Sequence, residues 1–260
     1  MNKYVLFGVG KMEGKYIREW VDYHLKLGIT HIYVYDNEDV STYKDILKGY
    51  NNVTVLHLPG ANNKYGLQTV VISHFQNNYI KYYDYCIHLD LDEFLCLKKH
   101  NNIQDFIKEY FTINTNAIAI NWVFFGSNNL IKRDNRGVLE RFTKCQDGCD
   151  QHIKLIVKVK DFIYYNGPHR IKGSENTFTK DTNGNIIEST FNPNGPIDIC
   201  QINHYKVKSQ EEFKIIVNRP RPDLPIGHKD RFRNNFLKQF QAYDLNHIDD
   251  FHAYYFYKFN

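Results

Sequence analysis

The sequence predicts an α/β fold: a mostly parallel central sheet flanked by helices, with a less regular C-terminal half that ends in helices. Two observations lead there. The first 90 residues alternate short apolar runs with segments of helical spacing, and such units close as right-handed crossovers over a parallel sheet. The apolar runs also end in glycine or acid, at Gly8–Gly10, Asp36–Asn37 and Asp90–Glu93. In open parallel sheets ligands collect at the carboxyl ends of the strands.

Each element has a local reason. Lys3 to Val9 is a short apolar run and a buried first strand. Glu13 to Leu27 places Tyr16, Ile17, Trp20, Val21, Tyr23, His24 and Leu27 at helical spacing, and Gly28 closes the helix. Thr30 to Asp36 is the second strand. Ser41 is expected to cap a helix through Leu47, stopped by Gly49. Asn52 to Leu58 is the third strand, ended by Pro59-Gly60; Leu67 to Tyr82 is a long helix, and Asp84 to Leu89 the fourth strand. Asn102 to Tyr110 reads as a short helix and Ala117 to Phe125 as a fifth strand. Ile153 to Val159 alternates apolar residues with Lys154 and Lys158, as a half-solvated strand does. Phe162 to Tyr165 is another strand. Gly173 to Pro196, rich in Asn, Thr, Gly and Pro, reads as a loop or small hairpin. A strand lies within Ile197–Tyr205, and Ser209 with Glu212 forms a capping box for the next helix. Arg231 to Tyr243 and Ile248 to Tyr257 are the terminal helices. No linker divides the chain, so residues 1–260 are read as one domain.

Bulk properties narrow the function. With 260 residues, 42% hydrophobic and 15% aromatic, the chain can bury a sizeable core. A net charge of +4, from 33 basic and 29 acidic residues, is too balanced to argue for nucleic acid. The five cysteines form no C-x-x-C pair; Cys145 and Cys149 could pair or stay free. A reducing, cytoplasmic setting is expected, with peripheral membrane attachment left open. No apolar run nears the roughly 18 residues of a membrane-spanning helix, and the N-terminus lacks the plan of a signal peptide.

The chemistry centres on Tyr85-Cys86-Ile87-His88-Leu89-Asp90-Leu91-Asp92-Glu93, an apolar strand running into three carboxylates. Packing these acids at a buried strand end is costly unless a cation meets them, and a divalent metal holding a phosphate is a natural partner. An acidic helix start or a plain strand end would be the structural alternative. Gly8-Val9-Gly10-Lys11-Met12-Glu13-Gly14 misses the dinucleotide spacing G-x-G-x-x-G by one residue, and Gly10-Lys11-Met12 lacks the Ser/Thr of a P-loop.

Four segments then carry a resemblance. Lys11 to His24 running on through Gly28 to Asn37, Leu89 to Phe94, Trp122-Val123-Phe124-Phe125-Gly126-Ser127, and Asn203-His204-Tyr205 with Lys208-Ser209 and Glu212-Phe213 occur in the order seen in glycosyltransferases of the GT-A (Rossmann-like) fold. The chain resembles their family-92-like and family-2-like group. Met12 stands where that group usually has Asn. The resemblance implies a nucleotide-sugar donor, UDP-linked by default, a Mn²⁺ or Mg²⁺ ion, and inverting transfer to a hydroxyl of a glycan, protein or lipid. It implies a nucleotide-binding half (1–100) and an acceptor-binding half (101–260). Asp92, Asp90 and His204 would be the metal set. Asp36, Asp90, Glu13 and Gln68 would attend the nucleotide. Carboxylates suit Mg²⁺ or Mn²⁺, and an added imidazole tilts the choice to Mn²⁺. A general base is also needed; Glu140 is favoured over Asp134 and Asp150. Lys154, His169 and Arg170 could face phosphate or acceptor, and Trp122 could floor a sugar site. The rival readings are a haloacid-dehalogenase-type phosphatase and a non-catalytic carbohydrate-binding protein on a transferase fold.

Overall fold

A computed structural model describes residues 2–59, 66–218 and 236–260. The first half follows the expected alternation: β1 (Tyr4–Gly10), α1 (Ile17–Lys26), β2 (His31–Asp36), α2 (Tyr43–Ile46), β3 (Val53–His57), α3 (Leu67–Asn78) and β4 (Tyr85–His88). Then come β5 (Glu93–Leu97), α4 (Ile103–Tyr110), β6 (Thr115–Phe124), α5 (Val138–Arg141), β7 (Lys144–Cys145), β8 (Ile153–Lys158), β9 (Phe162–Tyr165), β10 (Ile171–Gly173), β11 (Phe178–Lys180) and β12 (Cys200–His204). The chain closes with α6 (Gln210–Val217), α7 (Phe236–Tyr243), β13 (Ile248–Asp249) and α8 (His252–Phe259).

One nine-stranded sheet runs through both halves in the order β3-β2-β1-β4-β8-β6-β12-β5, with β11 added to β6. Neighbours β3, β2, β1 and β4 are parallel, as are β6 with β12 and β11. Two strands reverse: β8 is antiparallel to β4 and β6, and β5 to β12. Helices cover both faces. On one, Trp20 and Tyr23 of α1 and Phe106 of α4 pack with Leu6, Phe94 and Ile202. On the other, Phe75 of α3 stacks on Phe7 of β1 at 4.0 Å between ring centres.

Several expectations need correcting. The acidic stretch does not end one strand; it turns, and Glu93 opens β5 going back the other way. Strand β8 is not half-solvated. It lies between β4 and β6, so both faces are covered and Lys154 is 1% exposed. Ser41 does not cap α2. Thr42 holds that position, and the Asp36 carboxylate accepts from the backbone N–H of Thr42 (2.9 Å) and Tyr43 (3.1 Å). Ile248–Asp249 pairs with β7, and the last helix starts at His252. Gly173–Pro196 does hold a strand, β11. The expected start at Arg231, the Gly60 stop and the break from Arg219 lie outside the described residues. All five thiols are free, and all but Cys149 are buried. Among the described residues no helix is long and apolar enough to cross a membrane.

The capping box of α6 forms as expected: Ser209 Oγ accepts from the Glu212 backbone, and Glu212 Oε2 accepts from the Ser209 N–H at 2.9 Å. Glu212 does more. It pairs with buried Arg141 of α5 (2.9 Å) and accepts from the Tyr16 hydroxyl. One carboxylate thus ties α6, α5 and the segment before α1. Burial raises its pKa, but hydrogen bonds from Arg141, Ser209 and Tyr16 outweigh burial and hold it at about 2. A carboxyl depressed in the fold stabilises above the unfolded value and loses that stability as pH falls. Glu212→Gln should therefore cost about 3 kcal/mol at pH 7 by leaving Arg141 uncompensated. It should also flatten the acid decline of the urea midpoint between pH 4.5 and about 2. An unchanged pH profile would contradict this.

Candidate active site at the Asp90 turn

The parallel strands place Gly10, Asp36 and His88 along one rim, since Gly10 pairs with Asp36 and Phe7 with His88. Gly8 and Gly10 are small for a packing reason. A Cβ at Gly8 would strike the Leu89 carbonyl, and one at Gly10 the Leu91 side chain. The glycines let the acidic turn close against β1.

Leu89 donates its N–H to Phe7 O (3.1 Å), which holds the turn in line with β4. Asp90 and Glu93 then lock one another: Glu93 N–H donates to Asp90 O, and Asp90 N–H to Glu93 Oε2, both at 3.0 Å. Antiparallel register sets His204 opposite Glu93, and Tyr205 N–H donates to Asp92 O at 2.8 Å. His204 therefore arrives beside Asp92, with Nε2 3.7 Å from Asp92 Oδ2. Ile87 of β4 pairs with Ile156 of β8, so the same register carries Lys154 level with Leu89.

The Lys154 ammonium lies 3.1 Å from both Asp90 Oδ2 and Glu93 Oε2. Burial raises the Asp90 pKa, but Lys154 outweighs it and the group stays below the usual carboxylate range. For fully buried Glu93, burial wins and its pKa stands well above that range. Burial lowers the Lys154 pKa, yet Asp90 and Glu93 together raise it above its ordinary value. The turn is thus built on a Lys⁺–Asp⁻ pair with a reluctant acid beside it.

Histidines crowd the same place. Burial pushes His88 down to about 3, His169 to about 4, and His204 below its ordinary value. They are neutral near pH 7, the form that binds metals. The Trp122 ring sits among His204 (4.6 Å), His152 (4.8 Å, near-parallel) and His169 (5.4 Å).

The expected residues separate into groups. Asp90, Asp92 and His204 come together, and Gln68 joins them by donating to Asp90 Oδ1 at 2.9 Å. Asp36 is fully buried. Its Oδ1 accepts from Glu38 N–H, and its Oδ2 from Ser41, Thr42 and Tyr43. That carboxylate organises its own loop. Glu13 is also buried, 3.3 Å from Lys208 Nζ. Glu140 stands exposed on α5, which packs against α8. Sequence reasoning gave Lys154 too little weight and passed over His88 and His152. Lys154 had a signal: the uninterrupted Leu155-Ile156-Val157 run marks a strand buried on both faces.

Do these residues fit a metal? Asp92 and His204 offer one oxygen and one neutral imidazole, set too far apart for a direct hydrogen bond. The buried Nδ1 of His204 has no partner. Asp90 is turned to Gln68 and Lys154. Among the described residues no three His, Cys, Asp or Glu side chains form a ready metal cage. Two protein ligands suit an ion completed by substrate phosphates and water.

Residues 5–252 match the model of glycosyltransferase family 92. The chain belongs to that family. As a family-92 glycosyltransferase it is a transferase enzyme, and the phosphatase and non-catalytic readings fall away. No protein of curated function matches it. Solved structures similar to it include HddC from Yersinia pseudotuberculosis, at 13% identity over 69% of this chain and 83% of that one, with a TM-score of 0.37. Another is 4-diphosphocytidyl-2C-methyl-D-erythritol synthase from Anaerococcus prevotii, at 11% identity, 61% and 71% coverage and a TM-score of 0.32. The mannosyltransferase Ktr4p from S. cerevisiae gives 10% identity, 49% and 41% coverage and a TM-score of 0.28.

Position 12 has a distinctive backbone. Met12 has φ +68°, a left-handed conformation that Asn tolerates and Met does not favour. Met12→Asn should raise stability by on the order of 1 kcal/mol, read from the urea midpoint. Lys154→Met should lower it by about 3 kcal/mol, because it leaves the half-buried Asp90 carboxylate and the buried Glu93 without their cation.

Proposed function

We propose that this family-92 enzyme moves a sugar from a nucleoside-diphosphate sugar, UDP-linked by family resemblance, to an acceptor hydroxyl with inversion, and that it depends on Mn²⁺ or Mg²⁺. One observation favours a ligand at this place above all. Buried polar groups in folded proteins are nearly always hydrogen-bonded. Around the Asp90 turn both nitrogens of His88, Oε1 of Glu93, Nε1 of Trp122 and Nδ1 of His204 have no partner.

In this reading Asp92 and His204 would hold the ion, which would supply charge stabilisation to a departing diphosphate. Lys154 and Gln68 fix the Asp90 carboxylate, which would orient a ribose hydroxyl or a water of the ion's shell. Asp36 and Glu13 brace the nucleotide loops from within. The first hundred residues serve the nucleotide and the remainder the acceptor, a glycan, protein or lipid.

Thermal denaturation with a panel of nucleoside diphosphates, with and without Mn²⁺, tests the reading. At a hundredfold excess over Kd, UDP with Mn²⁺ should add about 2.7 kcal/mol of stability. Asp92→Ala and His204→Ala should each abolish that gain. No shift for any nucleotide would defeat the proposal, and an undiminished shift in His204→Ala would remove that residue from the metal.

A further inference from the structure

Next to the donor cluster is a cleft of about 480 Å³, within the roughly 300–1,000 Å³ of small-molecule sites. Phe124, Gln146, Asp150, Tyr243 and His247 line it. It borders the donor cluster at two points. The Phe124 ring lies 5.0 Å from that of His204, and Asp150 N–H donates to Trp122 O at 2.8 Å.

Its chemistry suits a sugar. Phe124 and Tyr243, 5.3 Å apart, form an aromatic side with the Lys206 ammonium 3.4 Å from the centre of the Tyr243 ring, and Gln146, His247 and Asp150 offer polar groups to sugar hydroxyls. Asp150 is held for use. Its Oδ1 accepts from the His152 backbone N–H (2.9 Å) and from His152 Nδ1 (2.5 Å). The His152 ring is fixed in turn between Trp122 at 4.8 Å and Phe191 at 4.9 Å. Both of these bonds fall on Oδ1, so with Asp150 lining the cleft Oδ2 is the oxygen offered to a ligand. Two carboxylates line the cleft, the exposed Asp147 and Asp150, and of these Asp150 is the one that His152 holds; Asp134 and Glu140 do not line it. Asp134 is paired with Arg136 at 2.7 Å, and Glu140 is exposed on α5.

We infer that the cleft binds a sugar acceptor and that Asp150 is the catalytic base for its hydroxyl, an inference that rests on the transferase reading above. The hydroxyl oxygen attacks the anomeric carbon of the donor while its proton passes to Asp150. The new glycosidic C–O bond forms as the bond from that carbon to the diphosphate breaks. The electron pair of the broken bond leaves with the nucleoside diphosphate. His152 acts through Asp150 as a positioning residue.

The test uses the full chain, a panel of UDP-sugars and a panel of methyl glycosides as acceptors. Asp150→Asn should keep the Mn²⁺-dependent thermal shift with UDP, which also reports that it folds, while transfer falls at least about 100-fold. Tyr243→Ala should keep the shift and raise the acceptor KM severalfold, with kcat less affected. Transfer by Asp150→Asn within a few-fold of wild type would overturn its role as base. Loss of the UDP shift in that variant would place Asp150 on the donor side and overturn the inference equally. An unchanged acceptor KM in Tyr243→Ala, or a wild type that binds UDP yet transfers to none of the glycosides, would overturn the cleft assignment. No UDP shift in wild type would instead defeat the donor reading itself.

Discussion

An ammonium group buried between two carboxyls holds the centre of this molecule. Lys154 can sit at 1% exposure only because Asp90 and Glu93 meet it, and Glu93 can be fully buried, with Asp90 half-buried beside it, only because it is there. The pairing dictates chain geometry around it. It requires β8 to run antiparallel between β4 and β6, so that its first residues reach the turn at the end of β4. It also requires Glu93 to belong to a strand leaving the turn, which makes β5 the partner of β12. Asp92, between the two anchored acids, is thereby held toward His204.

Trp122 organises the other side. Its ring touches His204, His152 and His169, so the residues assigned to the donor and the carboxylate assigned to the acceptor share one wall. Two sugars that must meet at one carbon need their sites fixed relative to each other. A rigid indole packed by three imidazoles does this with few rotatable bonds.

Much of the first half was legible because its signals are local. Each βα unit announces itself by periodicity over a dozen residues, and the carboxyl-end rule then aligns Gly10, Asp36 and the Asp90 turn. What escaped depends on pairing across long stretches of chain. The reversal at Asp92-Glu93 hides inside a run that stays apolar on both sides, so no local signal sets β5 apart as a strand of its own. Lys154 in a strand looks solvated until that strand is known to lie in mid-sheet. Asp36 sits at the expected strand end, but the hydrogen bonds that occupy it come from the next seven residues. His204 was found through its segment's resemblance to a known family; its place beside Asp92 is a matter of register, which no local pattern encodes. The proposed base is the clearest such case, because no sequence signal separates Glu140, Asp134 and Asp150 firmly, whereas the fold puts them on α5, in an ion pair with Arg136 and at the cleft.

The pairing of β5 with β12 bears on the order in which the protein is made. β5 lies at the end of the sheet path, with β12 as its neighbour. On the ribosome β5 emerges long before that neighbour, and non-local strand pairing is slow to form. Until β12 docks, Asp92 has no imidazole opposite it and the wall around Trp122 is incomplete. A chain that stopped short of Cys200 would carry the whole acidic turn yet lack both the strand that pairs with β5 and the imidazole beside Asp92.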